Sequence, residues 1–291
     1  MAAPITADRV EQFREEGYVF LPEYLDDAVE RLSDEADRIV ELAVNSSFAN
    51  DRQSGRLDLT EDDAGEQTIR QINPSLDLSR AFKRLAVGEL ADLLRPLVDD
   101  DPVSIDRTAQ INPKMPLPEP LPLEAGRESD RYPVHADWPY YEGRFPPGIV
   151  TSIVFLDDCE ADSGPLQVWP GSHTADYDHE RVEGLGLEVP PDRIDHDAGE
   201  PVLGPAGSVL LFDARLVHSS EPNTSGRPRR LAIYGHAPER NVESDIRDGS
   251  ARPEADSGYP SELVESTYEG EYHRKKRRGE FEDRFAVPDY G

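Results

Sequence analysis

The chain has 291 residues, of which 60 are acidic and 31 basic, so its formal charge is −29 at pH 7 and its hydrophobic content is 36%. This acidic balance argues against a nucleic-acid-binding surface, while the length allows one large domain with a buried core. A single cysteine, Cys159, excludes an intrachain disulfide and a cysteine-rich metal site, so any metal must use nitrogen and oxygen ligands.

Composition also bears on where the protein works. Lysine is scarce, at Lys83, Lys114, Lys275 and Lys276, beside abundant acids. This is typical of proteins that stay dissolved at high salt, where screening weakens self-repulsion, although neutral drift toward acidity explains it too. The opening MAAPITADRVEQF lacks a basic region followed by an apolar run, and no stretch has the ~18 apolar residues of a membrane span. We therefore expect a cytoplasmic protein.

The first hundred residues are predicted to be mostly helical. Thr6 can cap a first helix, and the apolar run Tyr18 to Leu21 predicts a short strand. Apolar residues at helical spacing predict a helix over Asp26 to Val44. A third helical segment is predicted over Leu78 to Leu97. The polar stretch between Ser46 and Gln67 has no period and is predicted to be a loop.

Short β-rich runs separated by turn-forming residues dominate after Pro102. They are Val103 to Ile111, Gly148 to Leu156, Leu166 to Trp169, Ser208 to Phe212 and Leu231 to Tyr234. Because their spacing is irregular and no long helix intervenes, an antiparallel sandwich or jelly roll is favoured over a parallel sheet. We expect one domain over residues 1–291, with a helical part at 1–100, a β core at 103–240 and an extension at 241–291.

Two segments stand apart from this core. Asn112 to Tyr132 has prolines at 113, 116, 118, 120 and 122, so it is predicted to be a long loop rather than a central strand. Such a loop is either a lid over a site or an uninvolved surface excursion. The basic cluster at 273–278 is expected to pair with acids of this chain or of a partner, and not with nucleic acid.

One His-x-Asp sequence, His135 and Asp137, occurs in the chain. On a strand, residues i and i+2 point to the same face, so an imidazole and a carboxylate would converge there. The pair is weak evidence alone, because an acid-rich chain produces it by chance. His218 closes the β-rich run SVLLFDARLVH, and turn formers after it predict a hairpin in which His218 and Arg229 are cross-strand neighbours.

Two histidines and one carboxylate on one face of Fe(II) leave three open positions, which suit a chelating 2-oxo acid and O2. Arg229 could then meet the far carboxylate of the oxo acid in bidentate fashion. This combination favours an oxygenase over other metal-dependent reactions.

Three segments of the chain, VHADWPYY, SGPLQVWPGSH and GSVLLFDARLVHSSEPNTSGRPRR, resemble the phytanoyl-CoA dioxygenase family of 2-oxoglutarate oxygenases, as does the opening FREEGYVFLPEYL. The resemblance covers most of residues 7–240. It implies a double-stranded β-helix, the cupin-like jelly roll, in a mainly β protein with N-terminal helices. It further implies hydroxylation of a small organic substrate with Fe(II), 2-oxoglutarate and O2, and release of succinate and CO2.

Carried over by position, the resemblance implies metal ligands at His135, Asp137 and His218, which are also the catalytic residues. It implies cosubstrate contacts from Arg229 and Ser220, and from Asn112 in the QINPK segment, whose alignment is weakened by the insertion before His135. The HADWPYY segment departs from the ectoine-hydroxylase branch of the family.

Aromatic residues beyond the metal pair, Trp138, Tyr140, Tyr141 and Phe145, are candidates for lining a substrate pocket, although such residues also build cores. The other histidines are expected to be structural or solvated: His173 at a turn, His236 packed, and His179, His196 and His273 in solvent.

Two alternatives stay open: a cupin-like isomerase or hydrolase with another metal, for which Arg229 is unnecessary, and a non-catalytic metabolite-binding relative. The sequence leaves the substrate and the oligomeric state undetermined.

Overall fold

Helices occupy the first part of the chain and strands dominate after residue 101. The computed structural model describes residues 5–49, 57–61, 67–72, 79–114, 131–142, 145, 147–182, 185–241 and 251–252. Its helices are α1 (Ala7–Glu16), α2 (Asp26–Ala49), α3 (Arg80–Arg84), α4 (Ala91–Val98) and α5 (Trp138–Tyr141), with a π-helical stretch, Leu85–Leu90, joining α3 to α4. Its strands are β1 (Tyr18–Leu21), β2 (Leu57–Glu61), β3 (Gln67–Ile72), β4 (Pro102–Lys114), β5 (Tyr132–His135), β6 (Val150–Phe155), β7 (Leu166–Val168), β8 (Glu180–Val182), β9 (Gly186–Glu188), β10 (Glu200–Pro201), β11 (Val209–Asp213), β12 (His218–Ser220), β13 (Arg229–Pro238) and β14 (Ala251–Arg252).

Two antiparallel sheets build the predicted jelly roll. The larger runs in the order β1-β11-β6-β13-β4-β3-β2, with β14 pairing β4, and the smaller runs β10-β7-β12-β5. Strands β8 and β9 form a separate two-stranded sheet. The expected double-stranded β-helix with N-terminal helices is confirmed. None of the described helices combines the length and the apolar character that a membrane span requires.

The N-terminal part agrees with the sequence for its helices and its first strand. Thr6 caps α1 by accepting a hydrogen bond from the Arg9 amide at 3.4 Å, and Gly17 ends that helix in a left-handed conformation at φ 84°. The predicted strand at Tyr18 to Leu21 is observed with those bounds. All three predicted helical segments are present.

The loop predicted between Ser46 and Gln67 is wrong for the residues that the structure describes there. Helix α2 continues to Ala49, and β2 pairs with β3 at the edge of the larger sheet. The acidic LDLTE segment is a strand because β3 supplies its hydrogen-bond partners, which a local pattern cannot reveal. Residues 1–100 therefore contribute three strands to the sheet as well as helices.

Alternating side chains divide the strands of the larger sheet between two cores. One face packs on the helices through residues such as Val154, Leu211 and Ala232, together with Ile39 of α2. The opposite face points into the jelly roll and contributes Phe155, Leu210, Phe212 and Leu231, which meet Leu166 and Val168 of the smaller sheet. Because both faces of this sheet are covered, all six residues of β6 and the first four residues of β11 are buried.

Consecutive arginines on β13 obey the same alternation. Arg230 faces the helices, where its guanidinium contacts both oxygens of Asp157, at 2.9 and 2.6 Å, and also Asp37 of α2. The two carboxylates raise the pKa of Arg230 above its ordinary value despite burial. Arg229 faces the opposite way, into the jelly roll, and is 1% exposed.

The proline-rich segment corrects one expectation. Asn112 to Lys114, which we expected outside a central strand, form the end of β4 and pair with Leu231, Arg230 and Arg229 of β13. Pro113 is accommodated because a strand end loses little when one residue lacks its N–H donor. The rest of the predicted loop, residues 115–130, lies outside the described residues, as do His273 and the basic cluster at 273–278.

His236 on β13 is fully buried, as expected for a packed histidine. Its Nε2–H donates to the carbonyl of Ala86 in the π-helical stretch at 2.7 Å, while Nδ1 has no hydrogen-bond partner among the residues that the structure describes. Burial lowers the pKa of His236 from 6.5 to about 4. A proton on Nδ1 would therefore be a buried donor without an acceptor.

We expect His236 to make folding sensitive to mild acid. Below about pH 6.5 the unfolded chain protonates this imidazole while the folded chain does not, so stability falls as pH decreases toward 4. Between about pH 7.5 and about pH 5 this residue alone should cost about 2 kcal/mol of unfolding free energy. Urea unfolding of the wild type and His236→Gln at both pH values measures it. An equal pH dependence in the two proteins would contradict the expectation.

Candidate metal centre

Two histidines face each other across neighbouring strands of the smaller sheet. His135 ends β5 and His218 begins β12, and the antiparallel register pairs these two residues directly. Directly opposed side chains on antiparallel strands lie close together. Here the ring centroids are 4.4 Å apart, and both residues are buried, at 8% and 6% exposure.

The backbone conformation that brings Asp137 to the two histidines differs from the predicted one. Asp137 lies beyond the end of β5 with helical backbone angles, φ −70° and ψ −32°, and precedes α5. The expected strand geometry for His-x-Asp is therefore wrong, although the side chains do converge. Asp137 Oδ1 lies 3.9 Å from His135 Nε2 and 3.7 Å from His218 Nε2, while Thr151 donates to Oδ2 at 3.1 Å.

Backbone carbonyls fix the orientation of both rings. His135 Nδ1–H donates to Pro133 O at 2.6 Å and His218 Nδ1–H donates to Leu216 O at 2.9 Å, in each case two residues earlier. This arrangement holds the tautomer in which Nε2 carries the free lone pair. Both lone pairs thus face the carboxylate.

Burial keeps the two rings neutral. It lowers the pKa of His218 from 6.5 to about 4. Burial and the neighbouring His218 also lower the pKa of His135, and burial raises that of Asp137, which the charge of His135 and the Thr151 hydroxyl oppose. Neutral imidazoles are metal ligands, whereas imidazolium ions are not.

The three donors fit one first-row divalent cation. One donor atom from each residue lies within 4.8 Å of the other two, so small side-chain shifts would bring all three to about 2.1 Å from a shared ion. Two imidazoles and one carboxylate match the set that holds non-haem Fe(II) with open positions. Among the described residues this is the one such cluster of three potential ligands.

Arg229 reaches this region from a different direction than predicted. The expected hairpin pairing of His218 with Arg229 is wrong, because β12 belongs to the smaller sheet and β13 to the larger one. Asn223 anchors the crossing between the sheets: its Nδ2 donates to Lys114 O at 3.1 Å and Arg227 O at 2.6 Å, and its Oδ1 accepts from the Ser225 amide at 3.0 Å. The turn-forming residues therefore build an inter-sheet loop.

Near the three donors, the two sheets are connected by a cluster of side chains that we call the cationic wall. It comprises Lys114, Arg229, Ser220 and Asn112. Lys114 pairs with Arg229 in the register of β4 and β13, is 3% exposed, and its Nζ donates to Ser220 Oγ at 2.9 Å. Ser220 lies two residues after His218 on the same face of β12. Sequence reasoning missed Lys114, although it shares a strand face with Asn112.

Asn112, the remaining expected cosubstrate contact, also belongs to this wall. It is 5% exposed, and its Nδ2 donates to Tyr132 Oη at 3.0 Å. Its Oδ1 is buried without a hydrogen-bond partner in the described part of the chain. An unsatisfied buried amide oxygen is rare and suits a site that a polar ligand or water completes.

The aromatic residues that were predicted to line a substrate pocket lie in different places, and only some of them are near the metal centre. Tyr140 lies edge-on to His135, with ring centroids 5.9 Å apart, and its hydroxyl accepts from the Leu187 amide at 2.6 Å. Tyr141 and Phe145 pack against each other at a small core formed by Val103, Ile105, Ile149, Ala214 and Ala237. Trp138 lines a cavity of about 260 Å³ that includes none of the three donors. Of the expected pocket residues, Tyr140 is the one placed against a donor.

Two other histidines form hydrogen bonds with backbone groups of neighbouring segments. His173 packs against Gly17, and its Nε2 lies 3.2 Å from Arg14 O at the end of α1, as a turn-supporting role predicts. His179 was expected in solvent, but it is half-buried, and its Nε2 accepts from the amide of Ala136, between His135 and Asp137, at 3.1 Å. Its Nδ1–H donates to Tyr177 O at 2.9 Å, which fixes the accepting tautomer. The sequence could not predict this contact, because it joins segments that are 43 residues apart.

Comparison with known proteins finds one matching family model and several similar proteins. The family model described as phytanoyl-CoA dioxygenase matches residues 13–231. The chain is 28% identical to the ectoine dioxygenase of Halomonas elongata over 263 residues, which covers 82% of this chain and 73% of that protein. It is 24% identical to the probable alpha-ketoglutarate-dependent hypophosphite dioxygenase of Stutzerimonas stutzeri, with 79% and 78% covered.

Solved structures agree on the fold. The crystal structure of EctD from S. alaskensis with 2-oxoglutarate and 5-hydroxyectoine superposes with a TM-score of 0.60 at 22% identity, covering 82% of this chain and 78% of that one. At this identity the match shows a shared fold.

We expect His179 to hold the chain between the two ligands that Ala136 separates. His179→Phe removes the acceptor of the Ala136 amide and should weaken Mn(II) binding by about 10- to 100-fold, as loss of an outer hydrogen bond does at other metal sites. His179→Gln supplies a side-chain oxygen and should restore most of the affinity. Calorimetric titration of metal into each protein measures both. Equal affinities in wild type and His179→Phe would refute this role.

Proposed function

The chain belongs to the phytanoyl-CoA dioxygenase family and is a dioxygenase that uses Fe(II) and 2-oxoglutarate, and we propose that His135, Asp137 and His218 hold its iron. The observation that carries the proposal is the convergence of three donor atoms within 4.8 Å in a buried setting. Both imidazoles present a free Nε2, because carbonyls occupy their Nδ1 protons. Thr151 leaves Asp137 Oδ1 facing the rings by binding the other carboxylate oxygen.

We also propose that the cationic wall binds 2-oxoglutarate through its carboxylate remote from the metal. Arg229 and Lys114 are buried, lie opposite each other on paired strands, and carry positive charge into the interior of the jelly roll. Burial raises the pKa of the Cys159 thiol, and the positive charges of Arg229 and Lys114 both oppose that rise. Both cations therefore lie near this thiol. Ser220 adds a hydroxyl and Asn112 an amide, which are suitable partners for a carboxylate.

The residues of this chain contribute binding, orientation and exclusion of water. Iron and 2-oxoglutarate supply oxygen activation and oxidative decarboxylation to succinate and CO2 when bound. His135, Asp137 and His218 would hold the iron as its three protein ligands, and the positions left open would serve the cosubstrate and O2. Tyr140 shields His135 on one side, and burial of the donors keeps bulk water from competing with substrate.

For the substrate, we propose a small polar molecule. Two of the relatives are named for ectoine and hypophosphite, which are small and polar. The net charge of −29 disfavours polyanionic partners such as nucleic acids. Departure from the ectoine-hydroxylase pattern at HADWPYY favours a substrate other than ectoine.

Succinate release from 2-oxoglutarate tests the function directly. Full-length protein with Fe(II) and O2 should form succinate, and Asp137→Ala should reduce the rate to background. Arg229→Ala should raise the KM for 2-oxoglutarate by at least about 30-fold, because a buried charge-assisted contact is lost. Arg240→Ala, on an exposed arginine, is the matched control and should behave as wild type.

Absence of succinate formation in wild type, with metal bound, would favour a cupin-like isomerase or hydrolase instead. Metal binding to none of the proteins would favour a non-catalytic relative.

We infer a salt-rich cytoplasm as the working environment, since Fe(II) and 2-oxoglutarate are supplied inside cells and the chain combines four lysines with 60 acids. Raising NaCl from about 0.1 M to about 2 M should increase Tm by at least about 5 °C, because screening weakens acidic self-repulsion. Sucrose of equal osmolality is the control and should have a smaller effect. A Tm that is flat or falls with salt would contradict this setting.

A further inference from the structure

Arg70 is a further cation, and it lies against Tyr132 of β5, the strand that ends at His135. Its guanidinium carbon lies 4.3 Å from the centre of the Tyr132 ring, and its Nη2 donates to Arg131 O at 3.4 Å. Its Nε is buried and has no hydrogen-bond partner among the described residues. Arg70 is therefore held in place by stacking and leaves hydrogen-bonding capacity unused.

A β-bulge accounts for the direction of this side chain. In the pairing of β2 with β3, Asp58 opposes Gln71 and Leu59 opposes Ile69, so Arg70 is the extra residue. Bulges interrupt the alternation of a strand and redirect a side chain, and they are frequent next to active sites. Arg70 consequently turns toward Tyr132 of the smaller sheet.

The contacts of Tyr132 relate Arg70 to two parts of the site. Tyr132 Oη accepts from Asn112, and Lys114 Nζ lies 5.6 Å from the same ring, so one side is the proposed cosubstrate wall. Tyr132 also begins β5, the four-residue strand that ends at His135. Arg70 therefore lies against the strand that carries the first proposed metal ligand.

Arg70 also differs from three other arginines, Arg38, Arg131 and Arg230, in lacking a carboxylate partner. Arg38 contacts Glu35 at 2.8 Å, Arg131 contacts Glu188 at 2.8 Å, and Arg230 contacts Asp157 at 2.6 Å. Among the described residues no Asp or Glu contacts Arg70, in a chain with 60 acids. Partly buried charges are ordinarily paired, so a guanidinium left without an acid suits an anion that arrives with a ligand.

We propose that Arg70 binds a carboxylate of the substrate and thereby selects small carboxylic acids for this enzyme. The inference rests on the proposed function, because it takes the substrate to bind beside the proposed metal centre. A guanidinium matches a planar carboxylate through two parallel hydrogen bonds, and Tyr132 holds its plane fixed. Binding one end of a substrate in this way would orient the other end toward the metal.

Matched pairs of acids and amides test the proposal even while the substrate is unidentified. The probes are benzoate with benzamide, cyclohexanecarboxylate with its carboxamide, and N-acetylalanine with its amide. Full-length protein is loaded with Mn(II) and saturating 2-oxoglutarate, and paramagnetic relaxation of the probe protons reports binding near the metal. The variants are Arg70→Gln, Arg70→Lys and the control Arg95→Gln, which alters an exposed arginine on α4.

We expect the acids to bind near the metal more tightly than their amides. Arg70→Gln should weaken acid binding by at least about tenfold and change amide binding by less than about twofold. Arg70→Lys should retain part of the preference because it keeps the charge, and Arg95→Gln should retain all of it. Since each variant serves as its own reference through the amide, a general loss of folding does not imitate this pattern.

Three results would overturn the inference: acids that bind no better than amides in the wild type, an acid preference that survives Arg70→Gln, or a loss of 2-oxoglutarate binding in Arg70→Gln with the acid preference unchanged. Binding of 2-oxoglutarate to the Fe(II) protein, followed by its visible absorption, separates the two proposals. Wild-type protein that binds Fe(II) without developing this absorption contradicts the proposed function. Normal 2-oxoglutarate binding with no acid preference contradicts only the role of Arg70.

Discussion

Antiparallel pairing of β5 with β12 sets His135 opposite His218, and the rest of the site is arranged around that pair. The two rings are locked by carbonyls of nearby residues in the chain, Pro133 and Leu216, so their free nitrogens face inward without help from distant residues. A shift of one residue in this register would turn one imidazole to the other face of the sheet. The proposed metal binding therefore depends on the pairing of these two strands.

The jelly roll adds groups to this pair from a second sheet. Because side chains alternate along a strand, β13 sends Arg229 into the interior and Arg230 to the helices, where Asp157 and Asp37 neutralise it. Lys114 on β4 then bridges to Ser220 on β12, so positive charge lies beside the donors within a strongly acidic protein. The same burial that keeps His218 neutral makes these cations effective, since few water molecules screen them.

Sequence patterns predicted elements well where the determining information is local. The helical spacing after Asp26, the Thr6 cap and the apolar runs of β6 and β11 all rely on neighbouring residues, and each prediction is confirmed. Strand β2 was missed because its partner, β3, provides the stabilisation.

The sequence, with a His-x-Asp pair followed by a distal histidine, predicted which residues supply the donor atoms, and the structure brings these residues together. The sequence could not predict the backbone path by which each one arrives. Asp137 arrives through a helical turn, and Arg229 through a crossing between sheets rather than a hairpin. Lys114, His179 and Arg70 carried no recognisable motif, because their importance comes from contacts with segments far away in the chain. Turn-forming residues such as Asn223 indicate that the chain reverses without indicating which sheet it enters.

A crystal structure of the full-length protein soaked with Mn(II) and 2-oxoglutarate tests the central claim most directly. Anomalous scattering should place one ion within about 2.3 Å of His135 Nε2, Asp137 Oδ1 and His218 Nε2, with the remote carboxylate of 2-oxoglutarate against Arg229. An ion bound elsewhere, or donors that stay apart at saturating metal, would contradict the account.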